Sequence, residues 1–260
     1  MKIYILADME GISGILFQEQ VQSGSPKYAA ACDLMMQDMN IAIEAAFESS
    51  ATDVVACDTH GGGGQIRIEK MDARARYETP TAGEMMPALD ESFDGLVLLG
   101  HHARAGTRNA FLDHTMDSTR WFEYCINDQP VGEIGIEAAY AGHFNVPIIT
   151  VSGDAAAAAE ATELLGEVRC AVVKWGLGRN RARCLSIPQA HERIRQAVGA
   201  AVRSIESFKA WQPVLPAILE LRLYRSDFAD ELASRTGVER LDARTLRVRI
   251  ESFKEIQSVF

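Results

Sequence analysis

Acidic and imidazole side chains gather along this chain in a pattern that suits a divalent metal ion. Asp8 and Glu10 follow one apolar run, His60 follows a second after Asp58 and Thr59, and His101 and His102 follow a third. Residues two apart on an extended segment face the same way, so Asp8 and Glu10 can point at one place. The same rule puts His101 and His102 on opposite faces, and only one of them should reach that place. Carboxylates with imidazoles and no cysteine are the ligand set of zinc or a similar ion in a hydrolytic site, not of a structural thiolate site. His114 sits in a polar stretch, Leu112-Asp113-His114-Thr115. Glu133 stands near a predicted helix start after Pro130, where the helix dipole favours an acid in any case. Taken singly, each residue has an ordinary reading as turn former, helix cap or loop histidine. Four of the six histidines fall between His60 and His114, and that concentration points to a site.

The elements that must position these residues can be read from apolar patterning. Ile3–Ala7, Asp53–Cys57, Gly95–Leu99, Val146–Val151 and Val168–Val173 read as strands, with Trp121–Ile126 a further one. Tyr28–Glu48, Val131–Phe144 and Asp154–Leu165 read as helices, the last with Asp154 placed to cap it. Strands alternating with helices predict an α/β protein, a three-layer α/β/α arrangement around a mainly parallel mixed sheet. Ligands of such sheets bind beyond the carboxyl ends of the strands, which is where Asp8, His60 and the His101-His102 pair fall. After Pro188 the pattern changes to a charged amphipathic helix, Gln189–Phe208, and strand-like Ile218–Tyr224 and Thr245–Ile250. The expected division is a catalytic α/β domain over 1–190 and a smaller α+β subdomain over 191–260. The run Gly61–Gly64 lacks the Gly-Lys-Ser/Thr ending of a phosphate loop and the spacing of a dinucleotide fingerprint, and reads as flexible backbone beside the site.

Composition narrows the partners. The chain has 260 residues, 47% hydrophobic and 24% charged, and 26 Lys+Arg against 36 Asp+Glu give a formal charge of −10. That balance argues against nucleic acid or anionic lipid as the main partner. No apolar stretch is long enough for a membrane span. Five cysteines without a Cys-x-x-Cys pair suggest neither a disulfide framework nor a thiolate zinc site. Acids at positions 8 and 10 interrupt any signal-peptide apolar region, so the expected location is the cytoplasm.

Five motifs then carry a resemblance. Ala-Asp-Met-Glu-Gly-Ile-Ser-Gly (7–14), Asp-Thr-His-Gly (58–61), Gly-His-His-Ala-Arg-Ala (100–105), Asp-His-Thr-Met (113–116) and Ile-Asn-Asp-Gln-Pro-Val-Gly-Glu-Ile-Gly (126–135) resemble those of the zinc-dependent D-aminopeptidases of the M55 peptidase family. They occur in the family's order, and the likeness covers the first 190 residues or so well and the tail more loosely. The resemblance implies two zinc ions held by Asp8, Glu10, His60, His102 and Glu133, with Asp8 bridging them. It implies that His114 acts in attack or proton transfer. It also implies a small peptide substrate with a free N-terminus and a ring-shaped homo-decamer. The segment from His102 to His114 is one residue longer than the usual pattern. His101 often is not histidine in relatives, which leaves it a supporting role, and Arg104 would face substrate or bind a carboxylate. Without metal, the gathered carboxylates of Asp8, Glu10 and Glu133 should repel one another and raise at least one pKa. Other readings of the same residues are a different metal-dependent amidohydrolase or phosphohydrolase, and an inactive peptide-binding relative.

Overall fold

Continuous apolar runs, rather than alternating ones, mark strands covered on both faces, and they form the centre of this molecule. The structure is a computed structural model that describes residues 1–81 and 83–260. It begins with β1 (Lys2–Ala7), α1 (Tyr28–Glu48), β2 (Asp53–Asp58), β3 (Arg76–Glu78) and β4 (Gly95–His101). Next come β5 (Trp121–Ile126), β6 (Gln129–Val131), α2 (Glu133–His143), β7 (Ile148–Asp154) and α3 (Ala155–Leu165). The chain closes with β8 (Arg169–Gly178), β9 (Arg181–Cys184), α4 (Ile187–Arg203), β10 (Ala217–Leu223), α5 (Ser226–Leu232), β11 (Val238–Arg240) and β12 (Thr245–Ile250).

The main sheet runs β3-β2-β1-β4-β7-β8-β9, parallel throughout except for the β8–β9 hairpin at its edge. Ile3 and Ile5 of β1 pack with Met35 and Met39 of α1 and Ile194 and Val198 of α4 on one face. Tyr4 and Leu6 pack on the other face with Ile134 and Ala138 of α2 and with Leu219 and Leu221 of a second sheet. The chain leaves β1 towards β2 on one side and returns to β4 on the other. That reversal opens a crevice outside the carboxyl ends of β1 and β4, where Asp8 and His102 lie. Gly100 (φ +75°) allows the close approach there, since a Cβ would lie 2.3 Å from the Asp8 carbonyl oxygen.

The second sheet is antiparallel, β11-β12-β10-β5-β6. β5 therefore does not extend the main sheet. Asn127 and Asp128, both at positive φ, make a two-residue hairpin turn into β6. Val131, expected to open a helix, is instead strand paired with Tyr124, and the helix begins after the extended Gly132. The helix expected over 189–208 starts earlier, at Ile187, because Pro188 fits a first turn where its missing N–H costs nothing. It packs against α1 and β8 of the main sheet. A division at residue 190 would thus cut α4, and β5 and β6 sit with the C-terminal strands. Among the described residues no helix is long and apolar enough to cross a membrane.

Candidate metal centre

Asp8 stands where β1 ends, and its two carboxylate oxygens point to two separate groups of side chains. Oδ1 lies 3.1 Å from His60 Nδ1, which is also 3.2 Å from Glu10 Oε2. Oδ2 lies 3.3 Å from His102 Nε2, which is 3.4 Å from Glu133 Oε1. His114 Nε2 approaches the same Glu133 oxygen at 3.6 Å. Asp8, Glu10 and His60 form one group able to hold an ion, and His102, His114 and Glu133 form the other. The five expected metal ligands and His114 thus meet in one place, from the ends of β1, β2 and β4, the loop after β4 and the start of α2. His101 turns away, towards Glu137 of α2.

Each imidazole has one nitrogen held by the backbone. His60 Nε2 is 2.8 Å from the Val21 carbonyl, His102 Nδ1 is 3.0 Å from that of Ala103, and His114 Nδ1 is 2.8 Å from that of Leu112. A carbonyl oxygen only accepts, so these nitrogens carry the proton and donate. The other nitrogen of each ring is then a lone pair facing carboxylate oxygens, which is repulsive unless a proton or a metal lies between them. Asp8 Oδ2 and His102 Nε2, although close, are buried without hydrogen-bond partners among the described residues. The donor set and these two orphaned atoms fit a divalent cation such as zinc.

Without metal, protons take that place. Burial works against a charged His60, yet the Glu10 and Asp8 carboxylates push it up to about 12. Burial likewise opposes charge on His102, and Glu133 and Asp8 raise it well above the ordinary histidine value. Asp8 and Glu133 move down rather than up, burial being outweighed for both by the imidazoles beside them. The expected upward shift from carboxylate repulsion does not occur at these two because protonated histidines neutralise them.

A surrounding layer fixes these groups. His101 Nε2 meets Glu137 Oε2 of α2 at 2.8 Å with both side chains buried, locking the end of β4 to that helix. Asp58 Oδ2 accepts the N–H groups of Gly64, Gln65 and Ile66, so the glycine run is tied down at its far end rather than free. Asp154 caps α3 through Ala157 and also accepts the N–H of Phe111, in the loop that leads to His114. Lys174 is fully buried, and its Nζ donates to the carbonyls of Glu10, Ile12 and Ile15 at 2.7, 2.7 and 2.9 Å. Burial lowers it to about 8, but three carbonyl acceptors match the three N–H groups of an ammonium. The apolar setting of Lys174, between Val173 and Trp175 on a strand, carries no sequence signal of this role.

The two groups open into a cavity of about 580 Å³ whose wall includes Gly61, Gly62, Met85, Asp117, Trp121 and Arg179. Arg104 is not brought to it. Its Nη1 donates to the Pro130 carbonyl at 3.0 Å, and the side chain borders a neighbouring depression with Arg108 and Phe122.

A family model described as D-aminopeptidase, Peptidase_M55, matches residues 1–260. A D-aminopeptidase of Bacillus subtilis (strain 168) is 35% identical over 218 residues, 82% of this chain and 78% of that protein. Among solved structures, the Zn-dependent D-aminopeptidase DppA from Bacillus subtilis, described as a self-compartmentalizing protease, superposes with a TM-score of 0.96. It is 30% identical, over 100% of this chain and 95% of its own.

Proposed function

The chain belongs to the M55 D-aminopeptidase family, and from that premise we propose that it is a zinc-dependent aminopeptidase, with two zinc ions per chain, that removes N-terminal D-residues from short peptides. The observation that carries this reading is the orientation of the three imidazoles, each held by a carbonyl on one nitrogen and aimed at carboxylates with the other. In it, Asp8, Glu10 and His60 would hold one ion and His102 and Glu133 the other, with one carboxylate oxygen of Asp8 near each group. Bound zinc supplies Lewis-acid polarisation of a carbonyl and brings the pKa of water towards ~7.

The chain's own groups do the rest. His114 has Nδ1–H fixed on the Leu112 carbonyl, which leaves Nε2 to take a proton from attacking water and return it to the departing amine nitrogen. The C–N bond breaks as that nitrogen is protonated, and the new carboxyl group keeps the oxygen of water. The reading assigns the substrate's free ammonium to Asp117, an acid of the cavity wall outside both ligand groups. The reading includes a ring-shaped homo-decamer of 28.5 kDa chains, which light scattering on the purified protein tests directly.

The test of the function is a panel of D- and L-aminoacyl anilides, simple amides and phosphate esters, assayed with added zinc. Turnover confined to the D-aminoacyl compounds is the expected result. Turnover of phosphate esters would point to phosphoryl chemistry, and metal binding without turnover to an inactive peptide binder.

A further inference from the structure

Among the described residues that line the cavity, Arg179 is the one lysine or arginine, and it shares the wall with the acids Asp8, Glu10, Asp117 and Glu133. It occupies the turn between β8 and β9, and its place is fixed by that hairpin. The Leu112 N–H donates to the Arg179 carbonyl at 2.7 Å. Gly176 presses the hairpin onto the loop beneath, where a Cβ would lie 2.3 Å from the Asn109 carbonyl oxygen. Arg179 Nη1 donates to the Asp113 carbonyl and lies 3.6 Å from Asp113 Oδ1. Nε and Nη2 form no hydrogen bond with the described residues, and the side chain is 42% exposed.

The guanidinium therefore sits on the peptide unit that joins Asp113 to His114, at the edge of the reacting groups rather than among them. A cation loosely paired with Asp113, whose Nε and Nη2 are not engaged by the described residues, matches a carboxylate beside a site that would cleave a peptide bond. In a dipeptide the terminal carboxylate follows the scissile carbonyl by one residue, about 3.8 Å between Cα atoms, and a third residue adds about as much again.

We propose that Arg179 binds the C-terminal carboxylate of the substrate. The cavity then complements a zwitterion, with Asp117 for the ammonium end and Arg179 for the carboxylate end. This rests on the aminopeptidase reading above and adds to it a choice of substrate by its far end.

The experiment compares D-alanyl-D-alanine with its C-terminal amide, using zinc-loaded wild type, Arg179→Gln and Arg179→Lys. The wild type should prefer the acid by at least about tenfold in kcat/KM, mainly through KM, the scale of one charge-assisted hydrogen bond. Arg179→Gln should bring the acid-to-amide ratio close to one, and Arg179→Lys should restore part of it. Disturbance of the Asp113 loop lowers both substrates alike and cancels in the ratio. A wild-type ratio near one, or a ratio unchanged in Arg179→Gln, overturns the proposal. The same comparison is made by calorimetry with the reduced-amide analogue, whose scissile carbonyl is a methylene, as acid and as amide. Binding preference for the acid that is lost in Arg179→Gln supports the Arg179 assignment even in a protein that cleaves neither peptide, and such a protein would refute the D-aminopeptidase reading alone.

Discussion

His102 and His114 lie face to face, ring centroids 3.9 Å apart and planes inclined by 12°, yet they are unequally covered. The His102 side chain is 1% exposed and that of His114 is 15% exposed, on the cavity side. The covered ring suits ligation and the open one suits proton exchange with a substrate. His114→Ala should therefore retain both zinc ions by elemental analysis while losing ~10² to 10⁴ in kcat. Loss of one zinc per chain would make His114 a ligand instead, a role its grouping with His102 and Glu133 allows.

Among the described residues Asp8 is the acid whose two oxygens reach both groups, at 3.1 Å to His60 and 3.3 Å to His102. An amide at that position offers one weak oxygen ligand and an NH₂ that cannot ligate. Asp8→Asn is expected to lose both metals and all turnover while keeping its far-ultraviolet circular dichroism. A variant that still binds two equivalents would remove Asp8 from the centre of the site.

Chelation should make stability depend on pH in a defined direction. The folded-state pKa of His60, about 12 without metal, lies above the unfolded value near 6.5. A base raised in this way contributes stability that is complete below about pH 6.5 and is lost as pH rises towards the folded value. One extra bound proton in the folded state corresponds to about 1.4 kcal/mol per pH unit between those limits. Chelated protein should therefore lose Tm steadily from pH 7 to 9, while zinc-loaded protein, with metal in place of the proton, should change much less. Parallel Tm curves for the two forms would contradict this.

The strand ends and their chemistry were legible because the main sheet is built from continuous apolar runs that stop abruptly at Asp8, Asp58 and the His101-His102 pair. Asp8 and Glu10 do meet, but through the turn that follows β1 and not along an extended segment, and His101 and His102 diverge where Gly100, at positive φ, breaks the regular strand. Val131 was misread because a three-residue strand before a helix has the same apolar content as a first helical turn, and only pairing with Tyr124 decides it. The second sheet was hidden for a related reason: β5 and β10 are distant in sequence and become neighbours only in the fold. Lys174 and Arg179 carried no signal. One is a lysine in an apolar strand and the other a turn arginine, and both are held by backbone carbonyls that other segments bring to them.

Lys174→Met leaves the Glu10, Ile12 and Ile15 carbonyls without their donor inside the protein. Each unsatisfied buried acceptor costs about 1 to 3 kcal/mol, so the variant should unfold at lower urea concentration by about 3 kcal/mol or more. Because Glu10 stands in that loop, zinc affinity should fall as well, as measured by competition with a chelating dye. Unchanged urea stability and zinc affinity would show that the ammonium is not what holds the loop.

Turnover of D-alanyl-p-nitroanilide by metal-stripped protein, titrated with zinc, tests the binuclear D-aminopeptidase most directly. Activity should be absent at the start, rise with added zinc and saturate at two equivalents per chain, with the L-alanyl compound cleaved far more slowly throughout. Saturation at one equivalent, equal turnover of the two enantiomers, or full activity in stripped protein would contradict it.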